Sequence, residues 1–181
     1  MTDEPIYQAL EVLRKGGIIL YPTDTVWGIG CDATNDEAVE RIYRLKRSGE
    51  KKSMLVLLDH PDKVSLYIRK LYEVADKPLT LILPGACAVA ENLIPEEGTL
   101  GIRIPEHEFC KKLIRKLNRP LVSTSANISG QPAPRTYSEI SQDIRQGVDL
   151  IVDPSLEGHP TRKASSIIRV GLSGEVNVIR P

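Results

Sequence analysis

Aromatic residues are scarce in this sequence, with six tyrosines, one tryptophan and one phenylalanine among 181 residues. A core built from it must rest on Ile, Leu and Val. Cysteine is scarce as well. Cys31, Cys87 and Cys110 are odd in number and widely spaced, with no CxxC pair, which predicts buried or inert thiols rather than a disulfide framework. His60, His107 and His159 each stand alone beside a proline or an acidic residue, so no zinc-ligand cluster is offered. The 24 basic residues are balanced by 24 acidic ones, which argues against a protein that grips nucleic acid non-specifically through phosphate neutralisation. No apolar run reaches the roughly 18 residues that a membrane-crossing helix needs. The stretch Met1–Tyr7 carries Asp3 and Glu4 and lacks the apolar segment of a secretory signal, so the expected location is the cytoplasm. Common catalytic signatures are missing too: no GxxxxGK[ST], no GxGxxG after a strand, no HExxH and no GxSxG.

What is present reads as one α/β domain. Pro5–Lys15 has helical spacing of Tyr7, Leu10 and Leu13 and stops at Gly16-Gly17. Strands are expected over Gly17–Tyr21, Val26–Gly30, Met54–Leu58, Leu79–Leu83, Leu100–Ile104, Leu121–Thr124 and Leu150–Val152. Asn35 is a good N-cap for a helix bearing Ala38, Val39, Ile42 and Leu45 on one face. Further helices are expected over Pro61–Tyr72, over Glu106–Leu117, and from a Thr136/Glu139 capping box to about Arg145. Ser165–Val170 and Glu175–Arg180 flank Leu172-Ser173-Gly174 as a β-hairpin. Alternating helices and strands, with several hairpin-length links, predict a mixed sheet.

Four polar runs stand at strand ends. Tyr21–Ala33 (YPTDTVWGIGCDA) places two threonines and Asp24 in a turn between apolar strands, which fits either a hydrogen-bonded turn or a site rim. Lys46–Lys52 packs four cations into seven residues after a helix, either a solvated helix end or a clamp for polyphosphate. Ser123–Gly130 (STSANISG) offers a dense set of hydroxyl and amide groups to an anion, or ordinary turn chemistry. Arg103, between Ile102 and Ile104, is either a surface charge or a carboxylate clamp.

Together these runs resemble the signatures of the YrdC/YciO/Sua family. YPTDTVWGIGCDA, TLGIRIPEH, STSANISGQPAP and KASSIIRV occur in the family's order and spacing, over essentially the whole chain. The resemblance implies a twisted mixed sheet with helices around a large, positively lined concave cavity. It also implies threonylcarbamoyl-AMP synthase activity: L-threonine, bicarbonate and ATP give threonylcarbamoyl-adenylate and pyrophosphate. A partner threonylcarbamoyl transferase complex then uses the product for N6-threonylcarbamoyladenosine (t6A) modification of tRNA.

Carried over position by position, Thr25, Arg103, Ser123 and Ser165 would bind L-threonine. Lys46, Arg103, Ser125 and Asn127 would carry the chemistry. Arg47, Ser48, Lys52, Thr99, Ser125, Asn127, Ala133 and Arg180 would hold the nucleotide. Mg²⁺ would arrive with the triphosphate, since no protein cage is visible, and Asp24 is a possible metal or amine contact. The chain departs from the family's KxR motif, which reads Lys46-Arg47-Ser48, and from its Pro-Ser-Thr run, which reads Ala164-Ser165-Ser166. These departures keep open a YciO-like paralogue that binds RNA or ribosomes through Lys46–Lys52 and the series Lys111, Lys112, Arg115, Lys116 and Arg119. A carbamoyl-transfer accessory domain that handles carbamoyl-adenylate with a partner is a further reading.

Overall fold

The computed structural model describes residues 3–48, 54–64 and 66–181. Among the described residues nine strands form one mixed sheet in the order β7-β1-β2-β6-β3-β5-β4-β8-β9. They are β1 (Ile19–Tyr21), β2 (Gly28–Gly30), β3 (Leu55–Leu57), β4 (Leu79–Pro84), β5 (Thr99–Arg103), β6 (Leu121–Ser125), β7 (Leu150–Ile151), β8 (Ser166–Val170) and β9 (Val176–Arg180). Parallel pairs (β1 with β7, β3 with β5, β4 with β8) are mixed with antiparallel ones, as the connection lengths predict.

Helices cover both faces. On one face α1 (Glu4–Arg14) packs against α4 (Glu108–Leu117). Ile6, Leu10 and Leu13 meet Phe109, Leu113 and Leu117 there, over Tyr21, Leu57 and Leu121 of the sheet. On the other face α2 (Asp36–Leu45) and α5 (Gln142–Gly147) bring Val39, Ile42 and Ile144 onto Ile29, Val56 and Val122. Asn35 caps α2 as expected, its side-chain oxygen accepting from the Ala38 amide at 2.9 Å. The last helix, α3 (Leu66–Glu73), lies beside a smaller cluster of Ile68, Leu79, Leu81 and Val170.

Two expectations are corrected. The helix over Pro61–Tyr72 is two elements: a 3₁₀ turn, Pro61–Lys63, capped by the His60 ring nitrogen, and then α3. The Thr136/Glu139 capping box does not form. Tyr137–Glu139 is a 3₁₀ turn, and Ser141 caps the separate α5 by accepting from the Ile144 amide. Extended Ile140, 1% exposed, turns its side chain into the core at this break, and Glu139 instead accepts from the Arg135 amide. Among the cysteines, Cys31 and Cys110 are buried, but Cys87 is exposed.

Candidate active site

Strand alternation sends Leu100 and Ile102 to one face of β5 and Thr99, Gly101 and Arg103 to the other. Cross-strand register then sets Arg103 beside Thr80 on β4 and Leu57 on β3, and Gly101 beside Leu55, whose partner is Ser123. Arg103 is therefore no surface charge; it is 4% exposed. Gly28 lets the turn before β2 approach: a Cβ there would meet Ser123 Oγ at 3.3 Å and the Tyr21 ring at 3.4 Å.

The Pro22–Thr25 turn is internally determined. Thr23 Oγ1 donates to the Val26 carbonyl at 2.7 Å and accepts from the Thr25 amide at 3.1 Å. Its own proton is thus committed, so Thr25 donates across the 3.0 Å hydroxyl contact. Arg103 Nη1 donates in turn to Thr25 Oγ1 at 2.8 Å. This fixes polarity through the site: guanidinium to Thr25 to Thr23 to backbone carbonyl. Thr25 retains accepting capacity only, which suits an amine or hydroxyl donor from a substrate. Arg103 Nη2 pairs with Asp24, while Arg103 Nε and Asp24 Oδ2 are buried without a partner among the described residues. A buried, unused N–H on a guanidinium is a group left for a ligand.

Around Arg103 lies a cavity of about 280 Å³, lined by Thr25, Trp27, Ser123, Ser125, Ala133, Ser165 and Arg180 among others. A smaller cavity of about 90 Å³ shares Met54, Leu55 and Ile167 with it and adds Thr99 and Thr80. The loop before β8 is held against the turn by two backbone bonds of 2.9 Å, from Thr161 to the Asp24 carbonyl and from Arg162 to the Thr25 carbonyl. Arg180 Nε donates to the Ser165 carbonyl at 2.7 Å, bringing the last strand to the same wall. A separate polar cavity of about 600 Å³ lies on the Asp24 side of the ion pair.

Of the sequence-expected residues, Thr25, Arg103, Ser123, Ser125, Ala133, Ser165 and Arg180 converge on one cavity, and Thr99 on the adjoining one. Lys46 and Asn127 stand behind that wall. The Lys46 ammonium donates to the carbonyls of Ser125 and Asn127, each at 2.6 Å, and burial lowers its pKa to about 8. Asn127 Nδ2 donates to the carbonyls of Ile128 and Gln131, leaving its Oδ1 buried and unpartnered. Ser48 meets the Ser129 hydroxyl at 2.5 Å, so the end of the Lys46-Arg47-Ser48 run is tied to the Ser125–Gln131 loop. Arg47 is exposed and pairs with Asp143 on α5, away from the cavity. Lys52 lies outside the described residues.

The sequence reading missed Thr80, whose hydroxyl is 2.7 Å from Ser165 Oγ. Its only signal is a lone polar residue within the apolar run Leu79–Leu83. The cations of α4 and the turn after it, the suggested RNA surface, have acidic neighbours: Lys111 with Glu106, Lys112 with Glu108, Arg115 with Asp59, Lys116 with Asp3 and Arg119 with Asp32. No group of three or more metal-ligating side chains occurs among the described residues, and no helix among them is long and apolar enough to cross a membrane.

Known proteins are similar to this chain in sequence and in fold. The Sua5/YciO/YrdC family model, described as telomere recombination, matches residues 11–181. A threonylcarbamoyl-AMP synthase of Pseudomonas fluorescens (strain Pf-5) is 34% identical, over 97% of this chain and 96% of its own. One from Idiomarina loihiensis is 35% identical, over 86% of this chain and 90% of its own. Among solved structures, P. abyssi Sua5 complexed with L-threonine superposes with a TM-score of 0.83 at 27% identity, over 94% of this chain. The chain spans about half of that longer protein, 52% of its length. E. coli YciO superposes with a TM-score of 0.81 at 26% identity, over 99% of this chain and 89% of its own. The chain belongs to the Sua5/YciO/YrdC family.

Proposed function

We propose that this protein is a threonylcarbamoyl-AMP synthase, which joins L-threonine, bicarbonate and ATP and releases pyrophosphate. The observation that carries the reading is the buried Arg103, its Nε–H unused, facing a cavity ringed by Thr25, Ser123 and Ser165. An amino-acid carboxylate is the natural acceptor for that fork. Asp24 and Thr25 hold the guanidinium in place. Thr25, committed as an acceptor, faces the amine side of the substrate.

The amine takes up carbon dioxide from bicarbonate, with loss of water, to give a carbamate. The carbamate oxygen attacks the α-phosphorus and pyrophosphate leaves. Negative charge grows on the phosphates, and fixed donors lower the barrier most where that charge develops. Ser125 and Arg180 in the cavity wall, Thr99 in the adjoining cavity and Asn127 behind them form the nucleotide side. Lys46 contributes its charge from behind by gripping the loop that carries Ser125 and Asn127. Holding three substrates in one cavity supplies much of the remaining rate enhancement, with oriented reactants worth roughly 7–11 kcal/mol.

The donor set does not fit a resident metal. Among the described residues the carboxylates next to the cavity wall are already engaged, Asp24 by Arg103 and Glu157 by Trp27 Nε1. Mg²⁺ that arrives with ATP would be held by the triphosphate. Delivery of the adenylate to a threonylcarbamoyl transferase complex for tRNA modification, in the cytoplasm, belongs to the same reading.

The test is pyrophosphate release from ATP and bicarbonate, with L-threonine, with L-serine and with no amino acid. Threonine-dependent release with a threonylcarbamoyl-adenylate mass in the products is expected. No release from folded protein would overturn the assignment and leave RNA binding as the reading to pursue.

A further inference from the structure

Thr80 is the second residue of the otherwise apolar strand β4, 2% exposed, and is absent from the wall of the cavity around Arg103. Its Cα is in register with Arg103 on one side and Ile167 on the other. Its hydroxyl meets Ser165 Oγ at 2.7 Å across 85 residues of sequence, and Ser165 is 4% exposed. Neither hydroxyl has another hydrogen-bond partner among the described residues. The Thr80 methyl lies over Gly101, 3.6 Å from where a Cβ would stand, so the rotamer is held from both sides. Main-chain bonds fix Ser165 itself: Arg180 Nε donates to its carbonyl, and the next amide, Ser166, donates to the Pro78 carbonyl at 2.9 Å. The one freedom left at Ser165 is the direction of its hydroxyl proton.

We propose that Thr80 is a positioning residue for the amino-acid substrate: its hydroxyl donates to Ser165 Oγ, so that Ser165 donates its own proton to the substrate carboxylate. This rests on the synthase reading. Two hydroxyls that share one hydrogen bond have one proton between them. Were Ser165 the donor, its lone pairs would face a carboxylate held by Arg103, and the contact would be repulsive. With Thr80 as donor, the Ser165 proton is free for the anion, and the relay strengthens its polarity. One position on β4 thus braces both anion-binding groups, Arg103 through the sheet and Ser165 through the hydroxyl.

The experiment compares wild type with Thr80→Val, which keeps the shape and loses the hydroxyl, and with Thr80→Ser, which keeps the hydroxyl. L-Threonine binding is measured by calorimetry without ATP, and KM for threonine and for ATP is measured separately by pyrophosphate release. Thr80→Val is expected to weaken threonine binding and raise its KM about tenfold, the size of one lost hydrogen bond, with KM for ATP unchanged. Thr80→Ser should restore threonine affinity to within about threefold, since it regains the donor. Thr80→Ala is a second hydroxyl-free variant, for which the same split between the two KM values is expected if the valine form does not fold. Wild-type threonine affinity in the hydroxyl-free variants, or an equal rise in both KM values, would overturn the proposal. A wild-type protein that neither binds threonine nor releases pyrophosphate would instead bring down the synthase reading, and this inference with it.

Discussion

The centre of the cavity wall and the β8–β9 hairpin belong to one sheet region, yet the first buries polar residues and the second exposes apolar ones. Thr25, Arg103 and Ser165 are 2%, 4% and 4% exposed. On the hairpin, Leu172, Val176, Val178 and Ile179 are 90%, 50%, 64% and 56% exposed. Position in the sheet sets this reversal. Arg103 lies on a central strand with neighbours on both sides, whereas β9 is the last strand and has a partner on one side only. Polar burial is tolerable at the centre because hydrogen bonds offset it: Arg103 to Thr25, Thr25 to Thr23, and the hydroxyl contact between Thr80 and Ser165. Two of the buried atoms that lack a partner among the described residues, Arg103 Nε and Asp24 Oδ2, belong to the ion pair at the proposed substrate site.

The largest expected effect tests the polar centre. Arg103→Ala should lower kcat/KM for threonine about a thousandfold, as loss of a buried charge partner does. The same change strands Asp24 and should cost about 3–5 kcal/mol in urea unfolding. Adding Asp24→Asn should recover much of that stability and none of the turnover; recovered turnover would remove Arg103 from the site. Next, Trp27→Ala should cost about 3–5 kcal/mol. Trp27 is 1% exposed, its ring centroid lies 5.2 Å from that of Tyr137, and its Nε1 donates to Glu157 at 2.7 Å.

Gly30→Ala should cost about 1–3 kcal/mol in the same measurement, since overpacking forces the backbone to move. Its Cβ would stand 2.4 Å from the Val122 carbonyl oxygen and 2.8 Å from the Tyr21 ring.

A smaller, pH-dependent effect belongs to Lys46, whose pKa burial lowers to about 8 from an ordinary 10.5. Between these values the unfolded chain binds the proton more readily than the folded one, so stability rises with pH across that window. Melting temperatures of wild type should therefore gain on those of Lys46→Met from about pH 8 upward, and a flat difference would contradict the buried ammonium. The smallest effect is expected on the hairpin, where Val178→Thr should change stability by less than about 0.5 kcal/mol. A larger loss would mean that β9 is covered in solution and that the contrast between the two regions is smaller than the exposures imply.

Much of the fold was legible because local rules were enough for it. The Asn35 cap, the helical spacing in α1 and α4 and the hairpin around Leu172-Ser173-Gly174 all follow from neighbours within a few residues. The Thr136/Glu139 capping box satisfied the same local rules and failed, because burying Ile140 outweighed continuing a helix. At the site, the candidate residues could be singled out as polar runs at strand ends, but their mutual contacts could not. Arg103 and Thr25 are 78 residues apart, and Lys46 and Ser125 are 79 apart.

By itself the sequence determined the residue types, the strand alternation that turns Arg103 away from its apolar neighbours, and the motifs that the family shares. Only the tertiary structure decided that Arg103 is buried rather than exposed, that Arg47 turns to Asp143, and that Thr80 stands behind Ser165. The physical reason is that propensity and capping act over a turn or two of chain. Burial and hydroxyl direction depend on which strands lie side by side, and that is settled when the whole sheet assembles.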